Sequence, residues 1–488
     1  MNETPRPADN DVSGAGNDVP LIADERVVGT TGHGEPVDAK TRRQRVWSWA
    51  LWDWGSASFN AVVTTFVFST YLASKSFVDP VIVDAAGENA KDPALVRALA
   101  ENASLIAGAL AIAGLLIAVL APILGQRSDG YGRRKLWLGV NTGLVIVAMA
   151  AMFFVEPLPS YLVLGAALLA AGNIFFEFAS VNYNAMLVQV ATPQTIGRVS
   201  GFGWGMGYVG GIILLLVLLT CFIGDVLGIA PGGFLGLPAG AEGNALNVRL
   251  AIVASAVWFA IFAVPIFLAV PEVPPTLRSK NVSFFASYVI LYRTIVSLFR
   301  KSPQVLMFLF ASAVFRDGLS GVFTLGAIIA AQVFGFAFVD VMIFGIAANV
   351  VAGLGSFVGG WLDDKIGAKK IIMGSLVGLV VAGFAVLFIG DSQTGFWLCG
   401  LTLCLFVGPV QSASRGFLAR ITPAGREGEI FGLYATTGRA VSFLTPALFY
   451  MFVAISGDTR LGILGIVLVL LAGLLLMLPV KAKQSEIE

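Results

Sequence analysis

Six ionisable side chains stand inside stretches of sequence that are otherwise apolar: Asp53, Glu177 and Asp317, with Arg316, Arg415 and Arg439. In hydrocarbon an unpaired charge at mid-depth costs roughly 2.5–3.5 kcal/mol on the insertion scale. Six of them would cost about 15–20 kcal/mol, more than the roughly 5–15 kcal/mol by which proteins are stable. The three acids and three bases must therefore pair, reach an interface, change protonation or line water. The last two are what a membrane-embedded site for polar solutes requires. The chain has a single histidine, His33, outside the apolar runs, so Glu177, Asp317 and Asp53 are the candidates for carrying a proton.

Helical spacing groups these charges with other polar side chains. Asn173, Glu177, Ser180 and Asn184 fall at i, i+4, i+7 and i+11, one narrow stripe of a 3.6-residue helix. Asp53, Ser56, Asn60 and Thr64 form a second stripe, Asp317, Ser320 and Thr324 a third, and Gly408, Gln411 and Arg415 a fourth. Each carries a plainer reading beside the functional one. Asp53 lies among Trp47, Trp49, Trp52 and Trp54, so it either sits in an aromatic belt at the membrane interface or belongs to the site. Glu177 could simply tie its helix to another. Arg316 and Asp317 are adjacent and diverge by about 100°, so each is expected to find its partner on a different helix. Arg439 lies near the middle of its apolar run and Arg415 near the end of its own, which makes Arg439 the better anion ligand by depth, with Arg316 as a second. Tyr434 and Arg439 are about 140° apart around a helix, so only one of them points at a shared cavity centre. Asn60, Asn173, Asn184, Gln411 and Tyr434 are the candidates for oriented hydrogen bonds.

Other chemistries lack their residues. Cys221, Cys399 and Cys404 fall in apolar runs without ligand spacing, so no metal and no cofactor is expected. A net charge of +1 without basic clusters interleaved with aromatics argues against nucleic acid. The glycine-rich run GFGWGMGYVGG from Gly201 has no strand before it and no Lys-Ser or Lys-Thr after it, so it reads as close helix packing rather than a nucleotide site. No nucleophile, base and orienting group recur at usable spacing, and an enzyme is not expected.

The elements that must hold these residues follow from composition. Apolar types make up 57% of 488 residues and charged types only 12%, against about 25% in soluble domains, so the chain is read as a polytopic membrane protein. Apolar runs predict twelve membrane helices, near 48–73, 102–124, 136–155, 160–189, 199–224 and 250–270, then 304–330, 339–361, 371–390, 395–418, 428–453 and 461–480. Most of the 31 Lys and Arg fall on the side of the first and last segments, whereas Lys75, Lys91, Arg97, Arg249 and Arg460 fall on the other. This bias predicts that both termini are cytoplasmic. Residues 1–45 are read as a disordered cytoplasmic tail without a cleavable signal, 46–271 and 304–480 as two six-helix bundles, and 481–488 as a short tail. The connection 272–303 contains SFFASYVILYRTIVSLF flanked by basic residues, which predicts an amphipathic helix along the cytoplasmic interface. Gly408 with Pro409 is a candidate hinge.

The two bundles are repeats. GQRSDGYGRRK from Gly125 and GWLDDKIGAKK from Gly360 place Gly125, Asp129 and Gly132 opposite Gly360, Asp364 and Gly367 at one constant offset. ATPQTIGRVSG around Pro193 likewise parallels ITPAGREGEIFG around Pro423. The duplicated GxxxDxxG followed by basic residues resembles the signature loop of the major facilitator superfamily. The first copy has Gly130 where that family usually has a basic residue, and the second keeps Lys365. The resemblance implies an all-α fold of twelve transmembrane helices in two six-helix repeats, with the first and fourth helix of each half lining a central cavity. It also implies that Asp129 faces the start of helix 11 and Asp364 the start of helix 5, a favourable place for a carboxylate. Together with Arg133 and Lys365, these contacts would latch the cytoplasmic side.

WALWDWGSASFNAVVTTFVFSTYL, YNAMLVQVATPQTIGRVSGFGWGMGYVGG from Tyr183 and FVGPVQSASRGFLARITPAGREGEIFGLYATTGRA from Phe406 are similar to the branch containing vacuolar amino-acid effluxers linked to autophagy and their bacterial relatives. The expectation is a secondary transporter of a small organic solute, amino acids among the candidates, working by alternating access with protons as candidate coupling ions in a bacterial inner membrane. An exporter of amphipathic drugs or lipid-like molecules, and a non-transporting sensor with the same fold, are the alternatives.

Overall fold

The computed structural model describes residues 37–481 apart from 88, 90–91, 225–227, 241, 273–283 and 337. The disorder expected for residues 1–36 lies outside this range, as do 482–488 and the first part of the central connection.

The first membrane helix, α1, starts at Ala39, so residues 39–45 belong to it and not to the tail. Asp38 is the reason: its carboxylate accepts the Thr41 amide at 3.0 Å and caps the first turn. α1 comprises Ala39–Ala57, a π-helical run Ser58–Val67 and Phe68–Leu72. The hydroxyls of Thr64 and Ser69 bond back to the carbonyls of Asn60 and Thr64 along this run, competition with the backbone ladder that suits a widened helix.

α2 is Pro93–Tyr131, α3 Arg134–Ala151, α4 Leu162–Ala185, α5 Ile196–Leu218 and α6 Leu246–Ala269. After a linker helix Phe284–Lys301 come α7 Pro303–Gln332, α8 Phe338–Ile366, α9 Ala368–Phe388, α10 Gln393–Ile421, α11 in two pieces Glu427–Val441 and Leu444–Ser456, and α12 Gly462–Met477. Among the described residues eleven of these spans are long and apolar enough to cross a bilayer, α11 counted across its break, and the interrupted α1 completes twelve. The loops expected at 125–135 and 360–370 are corrected to helix ends. α2 continues to Tyr131 and α8 to Ile366, and each reverses through one glycine with positive φ, Gly132 at 63° and Gly367 at 92°. Charge at a membrane interface does not end a helix, which is why the basic clusters misled the boundary.

α10 stays helical through Gly408 and Pro409. A Cβ on Gly408 would lie 2.0 Å from the Ala352 carbonyl, so this glycine serves close contact with α8. The break falls in α11 instead, just before Pro446, whose ring cannot follow an α-helical carbonyl four residues back. The linker helix sets Ser287, Thr294 and Leu298 against the bundle and leaves Phe285, Val289, Tyr292 and Phe299 outward.

The same contacts recur in each half: α1 with α6 and α7 with α12, α2 with α4 and α8 with α10, α3 with α4 and α9 with α10. The halves meet along α5 against α8 and α2 against α11. Backbone touches backbone there. A Cβ on Gly201 would stand 2.4 Å from the Ser356 carbonyl, and one on Gly125 would stand 2.0 Å from that of Gly428. Both contacts lie toward the end that carries Arg42, Arg43, Arg198 and the Lys369–Lys370 pair, called here the basic end.

Candidate functional site

At the basic end two carboxylates bridge the halves. Asp129 accepts the amides of Gly428 and Glu429, each at 3.0 Å, in the first turn of α11. Asp364 accepts those of Gly197 and Arg198 at 2.8 and 3.1 Å in the first turn of α5. Free amides and the positive end of the helix dipole make both places favourable for an anion. Around Asp129 the guanidinium of Arg134 pairs with its carboxylate at 2.6 Å and with Glu427 at 2.5 Å, all three nearly sealed from solvent. Around Asp364 stand Arg198 and Arg420, each at 3.2 Å, and Arg420 also holds Asp363 at 2.7 Å.

Arg133 and Lys365 are therefore corrected. Arg133 is exposed, and the buried base is its neighbour Arg134, because the left-handed turn at Gly132 aims the first residue of α3 inward. Lys365 lies on the surface over the ring of Trp361, 3.6 Å from its centroid. Sequence spacing cannot choose between adjacent bases. Glu427, Asp363 and Arg420 have no spacing signal that singles them out, although the repeat around Pro193 and Pro423 points to the amide donors.

Above this layer Arg415 of α10 crosses to the first half. Its guanidinium donates to Asp53 at 3.1 Å, to Asn184 at 3.3 Å, and to the hydroxyl and carbonyl of Ser200 at 3.0 and 2.7 Å. The rings of Trp49, Trp204 and Tyr183 stand 4.8, 5.5 and 5.6 Å from it. Tyr183 also donates to Asp53 at 2.9 Å. Trp49 and Trp52 are fully buried among helices, so these two form part of the protein core and not of a lipid-facing belt, while Trp47 remains exposed. Nearby, Tyr208 of α5 donates to Gln411 of α10 at 2.7 Å.

Deeper still, Arg439 of α11 donates to Glu177 at 2.9 Å and Asn173 at 3.1 Å on α4. Arg439 lies twelve residues beyond Glu427, about 18 Å along the helix, which is mid-membrane depth. Its side chain keeps 34% exposure and that of Glu177 19%, so the pair bridges the halves while remaining partly accessible. Arg316 of α7 lies over the ring of Tyr434, 3.8 Å from the centroid, and donates to the Tyr434 carbonyl at 3.1 Å. Tyr434 and Arg439 thus engage different helices, α7 and α4. Asp317 is elsewhere: buried, it accepts the Thr445 amide at 2.6 Å and caps the second piece of α11. Asn60 is exposed on the π-helical run. No group of His, Cys, Asp and Glu that could hold a metal occurs among the described residues.

Twelve helices in two repeats, joined at one end and lined between by paired charges, define a membrane transporter of the major facilitator type. Residues 188–488 match the family described as "Vacuole effluxer Atg22 like", and residues 8–215 match the Major Facilitator Superfamily. The chain belongs to the Atg22-like family of that superfamily. It is 24% identical over 437 residues to the "Uncharacterized MFS-type transporter YxiO" of Bacillus subtilis (strain 168), covering 88% of this chain and 93% of that one. It is 24% identical over 327 residues to "Autophagy-related protein 22-1" of Neosartorya fischeri, covering 61% of this chain and 51% of the fungal protein, so it spans about half of that relative's length. Among solved structures the proton:xylose symporter XylE superposes with a TM-score of 0.66 at 14% identity, covering 91% of this chain and 95% of that one. The transporter FucP in its outward conformation gives 0.61 at 15%, covering 89% and 97%.

Proposed function

We propose that the protein is a secondary active transporter of small zwitterionic solutes, amino acids foremost, in which the two halves rock about a site centred on Glu177 and Arg439. The observation that carries this reading is the 2.9 Å pair itself, made between α4 of one half and α11 of the other and partly accessible. A zwitterion is its complement: the carboxylate takes Arg439, the ammonium takes Glu177, and Asn173 supplies an oriented hydrogen bond. A proton on Glu177 would release Arg439 in the same way, which makes this acid the coupling group. Charged groups at the centre favour such a solute over an amphipathic drug or lipid, which would want an apolar pocket.

In this reading the basic end is cytoplasmic with both termini inside, the linker helix lies along that interface, and the structure is the state closed to the cytoplasm. Asp129 and Asp364 latch it through α11 and α5, and both contacts break when the site opens inward. The test is uptake of a labelled amino-acid mixture by reconstituted vesicles with and without an imposed proton gradient. Gradient-driven accumulation that disappears in Glu177→Gln supports the proposal. Lipid scrambling with no amino-acid flux, or no flux of any solute, overturns it.

A further inference from the structure

Every group that holds Arg415 comes from one half. Asp53 and Trp49 stand on α1, Asn184 and Tyr183 on α4, Ser200 and Trp204 on α5, while Arg415 alone comes from α10. The acceptors are one carboxylate, one amide oxygen, a hydroxyl and a backbone carbonyl, which match a guanidinium's fork of donors. Ring faces complete the enclosure, and an aromatic face attracts a cation through its quadrupole.

This enclosure does not need Arg415 for its shape. Trp49 stacks on Tyr183 with centroids 4.5 Å apart and donates its indole N–H to the Tyr183 carbonyl at 3.1 Å. Trp52 stacks on the same ring at 4.3 Å and is itself pinned to Thr142 at 3.1 Å. The Tyr183 hydroxyl in turn fixes Asp53. All of these contacts lie within the first half and survive a movement of the halves as bodies.

We infer that Trp49, Asp53, Tyr183, Asn184, Ser200 and Trp204 form a receptor for the guanidinium or primary ammonium group of an organic cation, which Arg415 fills while the basic end is closed. The inference rests on the alternating-access reading, since only separation of the halves withdraws Arg415. Withdrawal leaves the Asp53 carboxylate beside aromatic faces without its cationic partner, a place that a second cation fits. The Asp53 side chain already keeps 18% exposure, against 5% for Arg415, so the carboxylate is the more accessible member of the pair. A cationic solute arriving there also competes with the closing contact and holds the basic end open.

The experiment uses purified full-length Arg415→Ala and two probes of nearly equal shape, L-arginine and its uncharged analogue L-citrulline, read by tryptophan fluorescence and thermal stabilisation. L-arginine is expected to bind saturably and at least about tenfold more tightly than L-citrulline, and Asp53→Asn in the same background is expected to abolish the preference. Equal responses to the two probes, or none in a folded protein, overturn the inference. If Arg415→Ala does not fold, Arg415→Lys takes its place, with the same preference expected at weaker affinity. Failure of both to fold also overturns it, because Arg415 is then a fixed structural partner. Uptake of a labelled neutral amino acid by the wild-type protein is read in parallel. Its absence sinks the transport reading, whereas its presence without any preference for L-arginine sinks the receptor alone.

Discussion

Asp129 reaches across the boundary between the halves to the amide of Gly428, 3.0 Å away, and Gly197, the residue equivalent to Gly428 in the other repeat, donates to Asp364 at 2.8 Å. Duplication has thus produced two anion-to-helix contacts of one design that secure the same end of the molecule. They differ in what surrounds them. Asp129 is sealed with Arg134 and Glu427, whereas the two bases that face Asp364, Arg420 and Arg198, are 24% and 60% exposed and more screened by water. The Asp129 side should carry most of the closing energy.

Asp129→Asn keeps an acceptor oxygen but removes the charge that Arg134 and the α11 amides face. We expect a loss of roughly 1.5–3 kcal/mol from the closed state, a rise of about ten- to 150-fold in the population open at the basic end. Thr436, whose hydroxyl bonds the Ala118 carbonyl at 2.8 Å across the α2–α11 contact, reports this as Thr436→Cys in a background without Cys221, Cys399 and Cys404. Faster thiol labelling is the expected outcome, with Asp364→Asn giving a smaller change. An unchanged rate would show that Asp129 does not hold the closure.

Gly125→Ala and Gly201→Ala place a methyl group against backbone, which cannot yield as a side chain tip does. Each is expected to weaken closure by about 1–3 kcal/mol and to abolish accumulation of solute while the protein still inserts and folds. Gly143→Ala is the control. Nothing lies within 4 Å of its added Cβ, and better helix propensity makes it neutral or slightly stabilising. Equal transport by Gly125→Ala and Gly143→Ala would remove the tight α2–α11 contact from the mechanism.

Glu177→Gln keeps the shape of the side chain and deletes its charge. We expect KM for a zwitterionic solute to rise by about ten- to 150-fold, the value of a hydrogen bond to a charged group, with gradient-driven accumulation lost and exchange retained. Arg439→Gln should raise KM for solutes bearing a carboxylate more than for their amides. Unchanged flux in both variants would reduce the pair to a structural tie between α4 and α11.

Asp317→Ala is expected to separate stability from transport. Loss of the acceptor for Thr445 should cost about 1.5–3 kcal/mol, read as a lower unfolding temperature, while KM stays within about twofold of the wild type. A large change in KM with unaltered stability would return Asp317 to the solute site.

Several of these residues were legible before any coordinates. Asn173 and Glu177 form one contact group because a four-residue step repeats the same face of a helix, and that step is visible in the chain. Their partner was not. Arg439 is 262 residues beyond Glu177, and which face of α11 meets α4 depends on how both helices rotate and tilt. For the same reason Arg316 and Asp317, neighbours in sequence, serve Tyr434 and Thr445 respectively, and the tryptophans around Asp53 leave interfacial belt and site equally open until Arg415 is placed among them.

Membrane crossing is a property of single segments. Length and apolarity decide it, with charge bias setting the direction, so the chain alone determined twelve spans, two repeats and the duplicated aspartates. The identity of each ionic partner is a property of segments hundreds of residues apart. Burial forces every charge to find a counterpart, but only packing selects Arg134 over Arg133, Asp53 for Arg415, and Glu177 for Arg439. The tertiary structure decided these because one residue of helical advance turns a side chain by about 100°, enough to exchange a buried partner for open solvent.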